Sequence, residues 1–351
     1  VYTGHGHGEQ VQNLAYSNDD GRTWTKYSQN PVLDINESDF RDPKVFWHAP
    51  TDRWVMVVSL ATEKILVFYA SNNLKDWQEL SRFGPAGTKD KPNWECPDLF
   101  ELPVENVDGK RLWVLEVDMG SGSVAGGSGG EYFVGHFDGT AFTSIQEARW
   151  VDYGRDFYAP VSWSDIPQSD GRRIWIGWMN NWETCLVPTS PWRSCMSVPR
   201  TLGLRSVSAT DGKGSQHYRL VQRPVAELRR LRTKTISLDT DSASWPPLAV
   251  TQPGLLSDMN FELETTLRVG NARSCGIRIR TGDDEFTEIG YDREPGVIYV
   301  DRGSSGNVDF HPSFAGRHEA PVRLTDGEIS LQIIVDRSCI EVFAGDGEAV
   351  I

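Results

Sequence analysis

Cysteine is scarce in this chain, and odd in number: Cys96, Cys185, Cys195, Cys275 and Cys339 are the only five, with no Cys-x-x-Cys pair among them. That spacing argues against a zinc site, and no metal is expected. The candidate disulfide is Cys185–Cys195; free buried thiols are the favoured alternative. Long apolar runs are missing too. The longest, Trp54 to Ala61, is one strand long and too short to span a bilayer. Positive charge is in deficit, with 35 basic against 49 acidic residues and a formal net charge of −14. Such a surface repels nucleic acid and anionic membranes and suits a neutral ligand. There is no initiator Met and no signal peptide. Val1-Tyr2-Thr3 reads as the middle of a strand, and Glu348 to Ile351 stops inside an apolar run. A fragment cut at both ends is therefore expected.

Helical periodicity is rare as well. What fills the chain instead is short strands between Asp-Gly, Asn-Pro and Ser-Asp turns, which makes it all-β. A longer period lies over this pattern. Tyr16-Ser17-Asn18 precedes Trp24 as Tyr69-Ala70-Ser71-Asn72 precedes Trp77, the two copies 53 residues apart. Arg41-Asp42-Pro43, Glu95-Cys96-Pro97-Asp98 and Arg155-Asp156-Phe157-Tyr158 each open an apolar strand, and Trp54, Trp113 and Trp175 follow in the next. Several strands per unit of about 50 residues mark a β-propeller. The repeat makes roughly four blades to Gln222, and the mid-strand start argues for five in all. The expected division is 1–222 propeller with an incomplete first blade, 223–236 a short helical linker, and 237–351 a β-sandwich of longer alternating strands.

In a propeller the first strand of every blade lines the central channel, so Asp42, Glu95 and Asp156 are expected to meet at one mouth. Crowded carboxyls raise one another's pKa. A protonated acid beside an ionised one is what glycosidic cleavage needs. Arg41 is expected to keep Asp42 ionised, and the apolar Trp94, Cys96 and Pro97 to make Glu95 the proton donor. Trp94, Trp178, Trp182 and Trp192 lie by turns near these motifs, where a flat ring can face a sugar. Trp24, Trp54, Trp77, Trp113 and Trp175 are assigned to packing between blades. His5-Gly6-His7 reads as a glycine-rich turn, and Gly120 to Gly130 as a flexible loop over the channel mouth.

Asp39-Phe40-Arg41-Asp42-Pro43 and Trp94-Glu95-Cys96-Pro97-Asp98 resemble the RDP and ECP motifs of glycoside hydrolase family 32, the family of invertases, inulinases, levanases and fructan exohydrolases. The likeness extends through Asn13 to Ser17, Gly154 to Ala159, Ile176 to Trp182, Pro191-Trp192-Arg193 and Val335 to Phe343. It implies a five-bladed β-propeller followed by a C-terminal β-sandwich. It further implies secretion, no cofactor, a sucrose or fructan substrate, and retaining hydrolysis through a covalent fructosyl-enzyme. Carried over, Glu95 is the acid/base and Asp42 the transition-state stabiliser. Arg41, Asp42, Glu95 and Trp182 bind the sugar. The family nucleophile is the Asp of a Trp-Met-Asn-Asp-Pro-Asn segment, and no such segment is present. Trp178-Met179-Asn180-Asn181 is a decoy with Asn in the carboxylate's place. The rival readings are a fructosyltransferase of the same fold and a non-catalytic carbohydrate-binding propeller.

Overall fold

The computed structural model describes residues 1–6, 9–88, 93–208, 216–237 and 260–351. Three complete antiparallel blades follow one another along the chain. The first runs Phe40–His48, Arg53–Leu60, Ile65–Ser71 and Gln78–Phe83. The second is built on Glu95–Pro103, Arg111–Met119, Gly129–Phe137 and Phe142–Ser144, and the third on Tyr158–Ser162, Arg173–Met179, Arg200–Ser208 and Gln216–Pro224. Ahead of them lie the hairpin Tyr2–Gly6 with Glu9–Asn13 and the short pair Ala15–Tyr16 with Thr25–Lys26. The inner strands of the blades are apolar on both faces because blades cover one another: Val55 to Val58 have no exposed surface. Phe100, Leu102, Val114, Trp175 and Leu204 fill the space between the second and third blades.

The tyrosine-to-tryptophan repeat is a turn with a fixed hydrogen-bond pattern. Ser17 Oγ accepts from the Asp19 and Gly21 amides, and Ser71 Oγ from those of Asn73 and Leu74. The indole N–H of Trp24 donates to Gly21 O at 2.9 Å, as that of Trp77 does to Leu74 O at 3.2 Å. The tryptophans thus close these turns. Trp24 is 64% exposed and packs between no blades, contrary to the sequence expectation. His5 and Gly6 also lie in a strand rather than a turn; His7 falls outside the described residues.

After Pro224 a 3₁₀ helix, Ala226–Leu231, leads out of the third blade. The final domain packs two four-stranded sheets face to face. One holds Phe261–Arg268, Glu328–Val335, Ile340–Ala344 and Ala349–Val350; the other Ser274–Ile279, Thr287–Asp292, Val297–Asp301 and Arg317–Pro321. Alternation along each strand buries Ile289, Ile298, Ile329, Leu331, Ile333 and Val342 between them.

Propeller and sandwich are locked together by a buried cation. Arg200, 1% exposed, donates to Asp152 Oδ2 at 2.7 Å, to Glu341 Oε2 of the sandwich at 2.8 Å and to Gln222 Oε1 at 3.0 Å. Its guanidinium lies 4.0 Å from the Phe157 ring centre and 5.2 Å from that of Phe343. Burial pushes the Glu341 carboxyl up, against the pull of Arg200. Removing the arginine therefore strands two carboxyls in an apolar interface. Arg200→Leu is expected to cost about 3–5 kcal/mol, read from urea denaturation, with Glu341→Gln milder because it leaves the arginine paired with Asp152.

Candidate active site

Each inner strand opens with two residues and a proline: Arg41-Asp42-Pro43, Glu95-Cys96-Pro97 and Tyr158-Ala159-Pro160. The middle residue is left-handed in every case, with φ of 65° at Asp42, 49° at Cys96 and 50° at Ala159. That conformation is rare for residues other than glycine, and a following proline ordinarily favours extended backbone. Each lies where the strand pairing slips, so the three form equivalent bulges. A bulge leaves its amide outside the ladder. The Asp42 amide donates to Thr3 Oγ1 at 2.9 Å, and the Cys96 amide to Asp42 Oδ2 at 3.0 Å. The blades are thereby stitched together at the channel mouth.

The first residues of the three motifs meet. Arg41 reaches Glu95 Oε1 with Nη2 at 2.9 Å and Nε at 3.1 Å, while its Nη1 holds Asp39 and Gln10. Tyr158 donates its hydroxyl to the other Glu95 oxygen, Oε2. Asp42 Oδ2 lies 4.0 Å from Arg41 Nε, so both carboxyls border one guanidinium. Burial, then the Glu95 charge, pushes the Asp42 carboxyl up; the Cys96 amide and Arg41 pull the other way. The expectation that Arg41 keeps Asp42 ionised is therefore corrected: the cation does pull the carboxyl down, but burial outweighs it. The bulge turns the adjacent side chains apart, and the cation's hydrogen bonds go to Glu95, Asp39 and Gln10 rather than to Asp42.

Asp156 does not join the cluster. It precedes the strand and pairs with Arg302 of the sandwich at 2.5 Å. Tyr158, two residues on, takes the place expected for it. The signal in the sequence was the proline at the third position of each motif. Trp94 is likewise moved, being 1% exposed and stacked on Phe83 in the core. Trp178 and Trp182 do form a wall, their rings 5.0 Å apart, with Trp178 edge-on to Tyr158 at 6.4 Å. Trp182 is 58% exposed and Trp192 78%.

The decoy motif has a structural task. Asn181 is fully buried and donates to the carbonyls of Gly126, Ser128 and Arg155. The glycine-rich stretch it grips is a hydrogen-bonded turn running into a buried strand, not a loose lid: Ser123 N donates to Gly127 O at 3.0 Å and Arg155 Nη1 to Ala125 O at 2.8 Å. A Cβ on Gly127 would lie 2.0 Å from Asn181 Oδ1, so glycine is needed for this approach.

Behind Glu95 sit two acids that the sequence reading missed, Glu116 and Asp118, on one face of Arg111–Met119. Asp118 lies opposite Glu95 in the pairing. Neither acid is exposed; Glu116 completes no hydrogen bond among the described residues, and Asp118 is approached by the Ala159 amide, which pulls its carboxyl down against the burial. Gly130 makes room for them, since a Cβ there would lie 2.7 Å from Asp118 Oδ1 and 2.8 Å from Glu116 Oε1. Burial pushes both carboxyls well up; Asp118 adds to the effect on Glu116, and Glu95 to that on Asp118. Burial, with the Asp118 and Glu95 charges behind it, also pushes the Tyr158 phenol up, so it remains a donor. Two acids spaced by one residue inside an apolar strand were the visible clue. Among the described residues no cluster of three or more potential ligands could hold a metal ion, and no helix is long and apolar enough to cross a membrane.

The sequence pattern of the glycosyl hydrolases family 32 N-terminal domain matches residues 1–224, and that of its C-terminal domain residues 227–351. The chain belongs to glycosyl hydrolase family 32. It is 48% identical to a levanase of Bacillus subtilis, over 100% of this chain and 51% of the levanase. It is 35% identical to an extracellular exo-inulinase of Aspergillus awamori, over 98% of this chain and 66% of that protein. The chain thus spans about half to two-thirds of the length of these relatives. The solved exo-inulinase of Aspergillus awamori superposes with a TM-score of 0.83 at 33% identity, covering 98% of this chain and 68% of that one. The β-fructofuranosidase of Schwanniomyces occidentalis complexed with fructosyl-erythritol gives 0.84 at 33% identity, over 99% and 70%. The fold is accordingly the family's five-bladed propeller followed by a sandwich, with three four-stranded blades among the described residues.

The buried acids set a pH dependence. A carboxyl raised in the fold keeps its proton after the unfolded chain has released it, so stability falls as pH climbs above the ordinary carboxyl range. Asp118→Asn removes this titration. Relative to the parent it is expected to gain stability between about pH 5 and pH 8, by at most about 1.4 kcal/mol per pH unit. Urea midpoints for both proteins at several pH values check this; parallel curves rule out a neutral buried Asp118.

Proposed function

We propose that this chain carries the acid/base half of a retaining β-fructofuranosidase acting on terminal β-D-fructofuranosyl bonds of sucrose or of fructans such as inulin and levan. The observation behind this reading is the Glu95 carboxyl held between Arg41 and Tyr158, with Asp42 against the same guanidinium. Glu95 gives its proton to the leaving oxygen. The carboxylate left behind is steadied by two guanidinium N–H groups and the Tyr158 hydroxyl, in place to take a proton from water in the second step. Asp42 Oδ2 is held by the Cys96 amide, and its Oδ1, which accepts no bond among the described residues, is free to bind fructose hydroxyls and stabilise the cationic transition state. Trp182, packed on Trp178, offers a flat wall for the ring. The names of the relatives, levanase and extracellular exo-inulinase, support the fructan class and a place outside the cell.

Double displacement needs a second carboxylate roughly 5 Å from the first. The chain has no Trp-Met-Asn-Asp-Pro-Asn segment, and Asn181 is committed to structure. We therefore place the nucleophile outside these residues. Purified by itself, the chain is expected to release fructose from sucrose, inulin and levan no faster than buffer; substantial release overturns that placement. Joined to a segment that bears the Asn-Asp-Pro motif, it is expected to become active. Glu95→Gln should then lower kcat about 10²–10⁴-fold, and a neutral result would remove Glu95 as the acid.

A further inference from the structure

Two cysteines that nothing in the fructan chemistry uses meet across the domain boundary. Cys195 belongs to the two-residue strand Cys195–Met196, which pairs with Trp178 and Met179 of the third blade. Cys339 closes the turn between two strands of the sandwich, where Asp336 N donates to Cys339 O at 2.9 Å. Their sulfurs are 3.9 Å apart although 144 residues separate them. The approach is held from both sides. Val198 N donates to Glu341 Oε1 at 2.7 Å, and Arg200 binds the other Glu341 oxygen at 2.8 Å. The segments carrying the two thiols are thus clamped together within a few residues of each. Cys195 is exposed and Cys339 half-buried.

From this juxtaposition we infer that Cys195 and Cys339 are a redox-active pair, which a low-molecular-weight disulfide such as oxidised glutathione converts to a covalent staple between propeller and sandwich. The candidate bridge Cys185–Cys195 gives way to this one, because the interdomain fold places Cys339 against the exposed thiol. Cys195 reacts first. The contact with the Cys339 thiol favours the Cys195 thiolate, against burial and the nearby acids Glu341, Asp336 and Asp156. The Cys195 thiolate attacks one sulfur of the reagent, the reagent's S–S bond breaks, and one glutathione thiolate leaves with the proton from Cys195. Cys339 then gives up its proton and attacks the Cys195 sulfur of the mixed disulfide, displacing the second glutathione as a thiol. Two protein thiols are oxidised and one reagent disulfide is reduced. The other cysteines lack such a partner. Burial, then the Asp118 and Asp42 charges, pushes the Cys96 thiol up, which keeps it inert.

The staple has a consequence at the sugar-facing wall. Ser194, next to Cys195, accepts the indole N–H of Trp178 at 2.8 Å, and Trp178 packs on Trp182. Oxidation fixes this end of the exposed segment that bears Trp192 and Arg193 to the sandwich. It also closes a long loop in the unfolded chain, which favours the fold.

The test is peptide mapping of the purified chain after incubation with oxidised glutathione and alkylation of remaining thiols. The expected product joins Cys195 to Cys339, with Cys96, Cys185 and Cys275 alkylated. In Cys339→Ser, glutathione should remain on Cys195; in Cys195→Ser, Cys339 should stay unmodified. The oxidised parent should unfold about 5 °C above its reduced form, a shift absent from both variants. A link from Cys195 to Cys185 overturns the proposal. So does glutathione persisting on Cys195 of the parent as it does in Cys339→Ser, or an unchanged melting temperature in a fully cross-linked sample. Because these readouts need no substrate, they stand or fall independently of the proposed hydrolysis.

Discussion

A left-handed residue wedged before proline, repeated at the mouth of three successive blades, is the constraint on which the candidate site rests. Each occurrence costs on the order of 1–3 kcal/mol of local backbone strain, and it persists because the freed amide finds an acceptor on the neighbouring unit: Thr3 for Asp42, Asp42 for Cys96. The bulge also turns the preceding side chain into the channel. Arg41, Glu95 and Tyr158 occupy equivalent positions in their blades and converge into one hydrogen-bonded chain. Strain in the backbone and order among the functional groups are two sides of one device.

Charge is handled by the same economy of position. At the mouth, one guanidinium serves three carboxyls, those of Asp39, Asp42 and Glu95, and gives Glu95 two of its N–H groups, leaving Asp42 raised by burial. Behind the mouth, Glu116 and Asp118 have no cation of their own and are kept neutral by desolvation. At the domain boundary Arg200 is buried with two acids and two aromatic rings, and the sandwich is held against the third blade through it. That same contact brings Cys195 to Cys339, so the geometry that joins the domains also creates the thiol pair.

Much was legible from residues alone. The alternation of strands, the period near 50 residues and the Arg-Asp-Pro and Glu-Cys-Pro motifs determined an all-β propeller with a sandwich behind it, and placed Asp42 and Glu95 at one end of a channel. These are repetitive features, and repetition survives in a linear string because each blade must solve the same packing problem. The errors were of another kind. Asp42 was expected to be kept ionised by Arg41, Asp156 to join the cluster and Trp94 to face the sugar, and the meeting of Cys195 with Cys339 was not foreseen. Only the tertiary structure decided these, because a bulge reverses the direction of adjacent side chains, and because contacts 54, 146 and 144 residues apart depend on how blades and domains meet. Sequence neighbours fix local conformation; the partner of a charge or a thiol is whichever group the closed fold sets within a few ångströms of it.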